Sequence, residues 1–133
     1  MDAIRRFLVK LCHRPKSVGK QGEVLAYNFI KKRGYSIVAR NWRFSHGEID
    51  IIAENSGVIV FIEVRLRRKG AFVRGYESIS RSKKAVLRRA CFAYLKKYAK
   101  REPSYRFDVV DIEHDYETHS DIIHHYENVS LFR

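Results

Sequence analysis

Cysteine is nearly absent: Cys12 and Cys91 stand far apart, with no C-x-x-C pair. That excludes a disulfide framework and a zinc knuckle, and it fits reduced thiols in a cytoplasmic protein. Long apolar runs are missing too. Ile4, Phe7, Leu8 and Leu11 fall at helical spacing but are interrupted by Arg5, Arg6 and Lys10. Residues 1–15 therefore read as a short basic amphipathic segment, too short for a signal peptide or a transmembrane span. Such a segment docks on the domain or a partner, with contact at a membrane surface as the alternative. No G-x-x-x-x-G-K-[ST] or G-x-G-x-x-G occurs, so nucleotide-binding loops are unsupported. His13 and His46 are isolated. His114, His119, His124 and His125 lack H-x-x-x-H spacing, and surface positions are expected for them. No Ser or Cys nucleophile has local support, and there is no repeat, low-complexity tract or interdomain linker.

Acidic residues are outnumbered, 15 against 27 Lys and Arg, for a formal net charge of +12. The imbalance is uneven. Residues 65–106 hold fifteen Lys or Arg against Glu77 and Glu102, whereas residues 107–133 hold seven acids against Arg133 alone. A basic middle and an acidic end create a directional field, and a polyanion is the natural partner. The 133-residue length suits one domain, expected over residues 16–133. A chain near this size buries ~68% of its unfolded surface, and 45% apolar content argues against disorder.

The chain alternates helical and strand patterns. Ser17 is a candidate cap for a helix whose face is Val18, Gly22, Leu25, Ala26, Phe29 and Ile30, with Gly34 as its stop. Glu23 lies beside that apolar stripe, early in the helix, where an acid complements the helix dipole. Tyr35 to Arg40 reads as a strand followed by Arg40-Asn41-Trp42-Arg43, in which Trp42 closes one end of the core or stacks on a base. Leu66 to Gly75 is a basic, Gly-containing loop with Arg67, Arg68, Lys69 and Arg74, suited to gripping a phosphate backbone or to solvation. Ser78 or Ser80 opens a second helix with Val86, Leu87, Ala90, Cys91, Ala93, Tyr94 and Tyr98 on its apolar stripe. Lys83, Lys84, Arg88 and Arg89 crowd its first turns, where cations oppose the dipole, which hints at an anionic partner. Glu102-Pro103 ends it. Tyr105 to Ile112 alternates as a further strand, and Ile122 to Tyr126 reads as a last edge strand.

Between these lies Gly47 to Arg65, two strands joined by Asn55-Ser56-Gly57. Val58 to Val64 is apolar at nearly every position, so both faces are expected to be covered. Glu63 therefore sits where a carboxylate is costly unless a cation, a donor or a metal meets it. If Ser56-Gly57 forms a two-residue turn, residues whose numbers sum to 113 oppose each other. Asp50 then faces Glu63 with Cβ atoms ~5 Å apart, and a divalent cation between them relieves the repulsion. A three-residue turn would put the two acids on opposite faces.

An acid followed on the next strand by Glu-x-Lys marks the restriction-endonuclease-like, or PD-(D/E)xK, nucleases; here it reads Asp50 and Glu63-Val64-Arg65. Gly19-Lys20-Gln21-Gly22-Glu23, Gly34-Tyr35, Arg40-Asn41-Trp42-Arg43, Gly47-Glu48-Ile49-Asp50, Val60-Phe61-Ile62-Glu63-Val64 and Arg106-Phe107-Asp108-Val109 occur in order. Together they resemble the uncharacterised bacterial YraN family, whose superfamily includes Holliday-junction-resolvase-like and tRNA-endonuclease-like domains. The resemblance implies an α/β fold, a restriction-endonuclease-like mixed β-sheet flanked by α-helices. It implies Mg²⁺ or Mn²⁺ on Asp50, Glu63, the Val64 carbonyl and Glu23, hydrolysis of phosphodiester bonds, and a nucleic-acid partner, DNA ahead of RNA, with a homodimer as one possible assembly. Arg43, Arg67, Arg68, Lys69, Lys83, Lys84 and Arg88 are the candidate backbone contacts. The chain departs from the pattern at Arg65, which replaces Lys. An arginine cannot act as a general base near neutral pH, although it can stabilise a pentacovalent phosphate. Three readings stay open: Arg65 supports slower cleavage, Lys83 or Lys84 reaches in from the second helix, or binding persists without catalysis. In the last case Glu63 pairs with Arg65 or Arg43 as a structural ion pair.

Overall fold

The computed structural model describes residues 18–70, 77, 79–99 and 101–132. The amphipathic reading of residues 1–15, the Ser17 and Ser78 caps and Arg74 in the basic loop lie outside the described residues. Five strands, β1 (Ser36–Phe44), β2 (Gly47–Asn55), β3 (Val58–Arg68), β4 (Ser104–Asp115) and β5 (Ser120–Tyr126), form one sheet in the order β1-β2-β3-β4-β5. All neighbours are antiparallel except β3 and β4, which run parallel. A parallel pair needs a crossover, and helix α2 (Arg81–Tyr98) supplies it, while α1 (Val18–Lys32) precedes the sheet. The fold is therefore α/β, a mixed sheet flanked by two helices.

Each helix covers its own face. Leu25, Ala26, Phe29 and Ile30 of α1 pack with Ile51, Val60, Ile62, Val110 and Ile112. Leu87, Ala90, Cys91 and Tyr94 of α2 pack with Ile49, Ile52, Phe61, Phe107 and Val109. Strand β3 alternates between the two cores, which is why its sequence is apolar almost throughout. Gly34, at φ +88°, stops α1, and Ser80 caps α2 by accepting from the Lys83 amide. At Gly47 the second helix comes very close: a Cβ there would stand 2.7 Å from Val86 Cγ1.

The hairpin turn is the two-residue form. Ser56 and Gly57 have φ of 50° and 78°, and the ladder runs from Asn55↔Val58 to Ile51↔Ile62. Positive φ at both central residues matches the right-handed twist of the flanking strands. Strand boundaries differ from the sequence reading. Asn41 to Arg43 belong to β1 instead of following it, β3 runs on through Arg67 and Arg68 before the basic loop begins, and β4 and β5 extend to Asp115 and from Ser120. Parallel pairing with β4, which continues to Arg68↔His114, extends β3.

The histidine expectation also fails at two positions. His114 is buried and so is the side chain of His125, and their rings meet Asp121 Oδ1 and Asp108 Oδ2, each at 2.8 Å. Asp108, Asp111 and Asp121 are buried too, so much of the acidic C-terminal stretch is internal and paired, not an outward field. Burial pushes the Asp108 carboxyl up, but bonds from His125, Arg106 and the Asn128 amide more than offset this and hold it below the usual range.

Candidate functional site

The site lies where β2 and β3 part. Backbone pairing stops at Ile51↔Ile62, so Asp50 and Glu63 occupy the next opposed position. There the Asp50 side chain takes over from the ladder: its Oδ2 accepts from the Val64 amide at 2.8 Å. Alternation also breaks here. Ile49 and Ile52 share the α2 core, as do their β1 neighbours Trp42 and Ala39, and Ile51 faces α1. Asn41, opposite Asp50, has φ 49°, a left-handed backbone that asparagine tolerates.

Glu63 is 4% exposed. Its Oε1 has Lys83 Nζ at 3.6 Å, whereas its Oε2 is buried without a hydrogen-bond partner among the described residues. Burial raises its pKa against the pull of Lys83 and Arg65. Burial, with the Glu63 charge second, pushes Asp50 up to about 8, and the bond from the Val64 amide only partly offsets this.

Two further acids surround the pair. Asn41 Nδ2 donates to Glu23 Oε2 at 2.8 Å and to Glu48 Oε1 at 2.9 Å. Glu23, Glu48 and Asp50 each present a ligand oxygen, all within 4.8 Å of one another. An orphaned buried carboxylate oxygen beside a cluster of oxygen donors fits a hard divalent cation such as Mg²⁺ or Mn²⁺. Glu48 and Asn41 were missed in the sequence. The alternation Glu48-Ile49-Asp50 held the signal for Glu48, since residues two apart share a strand face.

The candidate cations separate into groups. Lys83 reaches the acid pair from α2, and Arg65 acts on Glu63 from β3. Arg43 bonds Glu48 at 3.0 Å and so is not the partner of Glu63. Arg67 is not a loop residue free to grip phosphate: it binds both oxygens of Asp111 and reaches Glu113. Lys69 pairs with Asp115 at 3.0 Å, and the Arg68 guanidinium lies 5.4 Å from the Tyr116 ring centre. Arg88 donates to the Leu131 carbonyl. Lys84 remains on the first turns of α2, one residue beyond the lysine that meets Glu63. Val64 joins the acid pair through its amide N–H.

Residues 22–112 match the model of the uncharacterised protein family UPF0102, from Gly22 beside the Glu23 acid through both strands of the hairpin to Ile112. The chain belongs to the UPF0102 family. The UPF0102 protein STH1475 of Symbiobacterium thermophilum is 42% identical over 98 residues, 74% of this chain and 83% of that protein. A UPF0102 protein of Dichelobacter nodosus is 42% identical over 107 residues, 80% and 84% of the two chains. One from Carboxydothermus hydrogenoformans is 34% identical over 117 residues, 88% of this chain and 98% of that one. The UPF0102 match spans every acid of the cluster together with Lys83. Among the described residues, no helix is long and apolar enough to cross a membrane.

Proposed function

We propose that this UPF0102 protein binds nucleic acid, DNA ahead of RNA, and hydrolyses phosphodiester bonds with Mg²⁺ or Mn²⁺ held by Asp50 and Glu63, assisted by Glu23 and Glu48. The observation that carries the reading is the buried Glu63 carboxylate opposite Asp50, one oxygen without a hydrogen-bond partner among the described residues and a lysine ammonium 3.6 Å from the other. A structural ion pair has no need of a second, half-buried acid opposite, because like charges there cost stability. Bound metal polarises the scissile phosphate and lowers the pKa of a coordinated water. The protein's own groups do the rest. Asp50 and Glu63 would hold the cation and so fix where the reacting phosphate sits. Lys83 would stand in for the Lys of Glu-x-Lys, donating to charge that develops on the phosphoryl oxygens, while a carboxylate of the acid pair would accept the proton of the attacking water. Arg65, always protonated, grips a non-bridging oxygen. A single centre makes one nick, and symmetric cutting of a junction requires two copies.

The test is cleavage of labelled single-stranded, duplex and branched DNA with Mg²⁺ or Mn²⁺, comparing wild type with Asp50→Ala, Lys83→Met and Arg65→Lys. Cutting by wild type, lost in the first two variants, is expected. Cutting only by Arg65→Lys would mean a binding protein whose catalysis ended at that position. No cutting by any of them, with no metal-dependent gain in stability, would refute the reading.

A further inference from the structure

Outside the acid cluster, one groove combines open aromatic rings with cations. It has a volume of about 860 Å³ and runs between β1 and α2, with Trp42, Phe44 and Phe92 as its aromatic walls. Arg43, Arg89, Lys96 and Lys97 border it, and no acid lines it. Phe44 and Phe92 are 44% and 45% exposed, so their rings present surface that the core does not use. Trp42 is braced edge-on by Tyr94 and Tyr98 of α2 and lies nearly parallel to Phe44, at an interplanar angle of 5°. Arg43 belongs to both places, lining the groove and bonding Glu48 of the acid cluster. Arg43 is thus the residue of β1 that the groove and the acid cluster share.

Flat apolar rings flanked only by cations complement a ligand that carries flat apolar faces on a polyanionic chain. A nucleic-acid strand with unpaired bases has both, because bases stack on aromatic side chains while phosphates meet Lys and Arg. A continuous duplex offers only its phosphates, since its base faces are already stacked. We infer that this groove seats unpaired bases, so that the substrate is nucleic acid with a single-stranded stretch. This rests on the proposed nucleic-acid function and narrows it to a substrate class.

Trp42 is the only tryptophan in the chain and reports on the groove directly. The full-length protein, in metal-free buffer with chelator, is titrated with a single-stranded thymidine oligonucleotide and with a blunt duplex, following Trp42 emission and the anisotropy of labelled DNA. The single strand is expected to quench Trp42, the duplex to leave it unchanged. Phe44→Ala and Phe92→Ala should each weaken single-strand binding about tenfold, with Phe44→Tyr restoring it and duplex affinity unaltered. Both phenylalanines are exposed, so loss of fold does not confuse the result, and circular dichroism verifies this. Unchanged emission and unchanged affinity in both variants, alongside Asp50-dependent cleavage, would overturn the groove and leave the nuclease reading standing. Loss of all binding and cleavage in wild type would remove both. Concentration-dependent self-association abolished by Phe92→Ala would assign the groove to a second copy and overturn the inference.

Discussion

The acid pair makes the metal-free protein sensitive to pH in a direction opposite to that of most carboxylates, and Asp50→Asn isolates the effect. Burial and the facing Glu63 push the Asp50 carboxyl from an ordinary value of 3.8 up to about 8. Below the ordinary value Asp50 is protonated in both folded and unfolded chains, and its contribution to stability is fully present. As pH rises towards 8 the unfolded chain ionises first, so stability is progressively lost. Each pH unit in that window is worth about 1.4 kcal/mol, which sets a ceiling of about 4 kcal/mol between pH 5 and pH 8. Water reaching the half-buried carboxyl reduces this, and about 2 kcal/mol is expected. Asparagine keeps an acceptor for the Val64 amide and cannot ionise. Urea unfolding with chelator present, followed by Trp42 fluorescence, should therefore show Asp50→Asn gaining about 2 kcal/mol on wild type from pH 5 to pH 8. Adding Mn²⁺ at pH 8 should reverse the ranking, since a ligand at a hundred times its Kd stabilises the folded state by about 2.7 kcal/mol and the variant has lost a ligand. A stability difference that stays constant from pH 5 to pH 8 would refute the argument.

Three further outcomes are expected. Lys83→Met should lower kcat a hundredfold or more, while Lys84→Met acts through KM alone; steady-state cleavage kinetics separate the two. Asp108→Ala strips Arg106, His125 and the Asn128 amide of a shared buried partner and should cost about 3–5 kcal/mol in urea denaturation. The contribution of Asp108 is present above the ordinary carboxylate range and is lost as pH falls through its lowered value. Gly47→Ala drives a methyl into Val86 Cγ1 and should cost about 1–3 kcal/mol, measured as a fall in Tm.

The hairpin was legible because its signals are local. Asn55-Ser56-Gly57 marks a turn and leaves two registers open; the two-residue form that the structure shows brings Asp50 opposite Glu63. The burial of Glu63 was equally readable from a strand apolar on both faces. The mixed sheet with its two flanking helices followed from the order of strand and helix patterns. What escaped depends on contacts distant in sequence. Choosing Lys83 over Lys84 requires knowing how α2 is rotated on the sheet. Arg67 looked like a phosphate grip until parallel pairing brought Asp111 and Glu113 beside it. His114 and His125 looked superficial because the acids that hold them are buried partners on β4 and β5. The left-handed backbone of Asn41, which joins Glu23 to Glu48, has no signature in a chain read one residue at a time.

The parallel pairing of β3 with β4 also imposes an order in time. The turn at Ser56-Gly57 closes with the least loss of chain entropy, whereas Val58 meets Ser104 only after all of α2 has intervened. The hairpin is therefore expected to assemble early, and with it the two carboxylates, with Lys83 following on the crossover helix. At neutral pH the nascent hairpin carries a repulsion whose nearby lysine is not yet in place. Acid would remove that brake, and if the proposed cation binds the hairpin, its supply would also set the speed of folding.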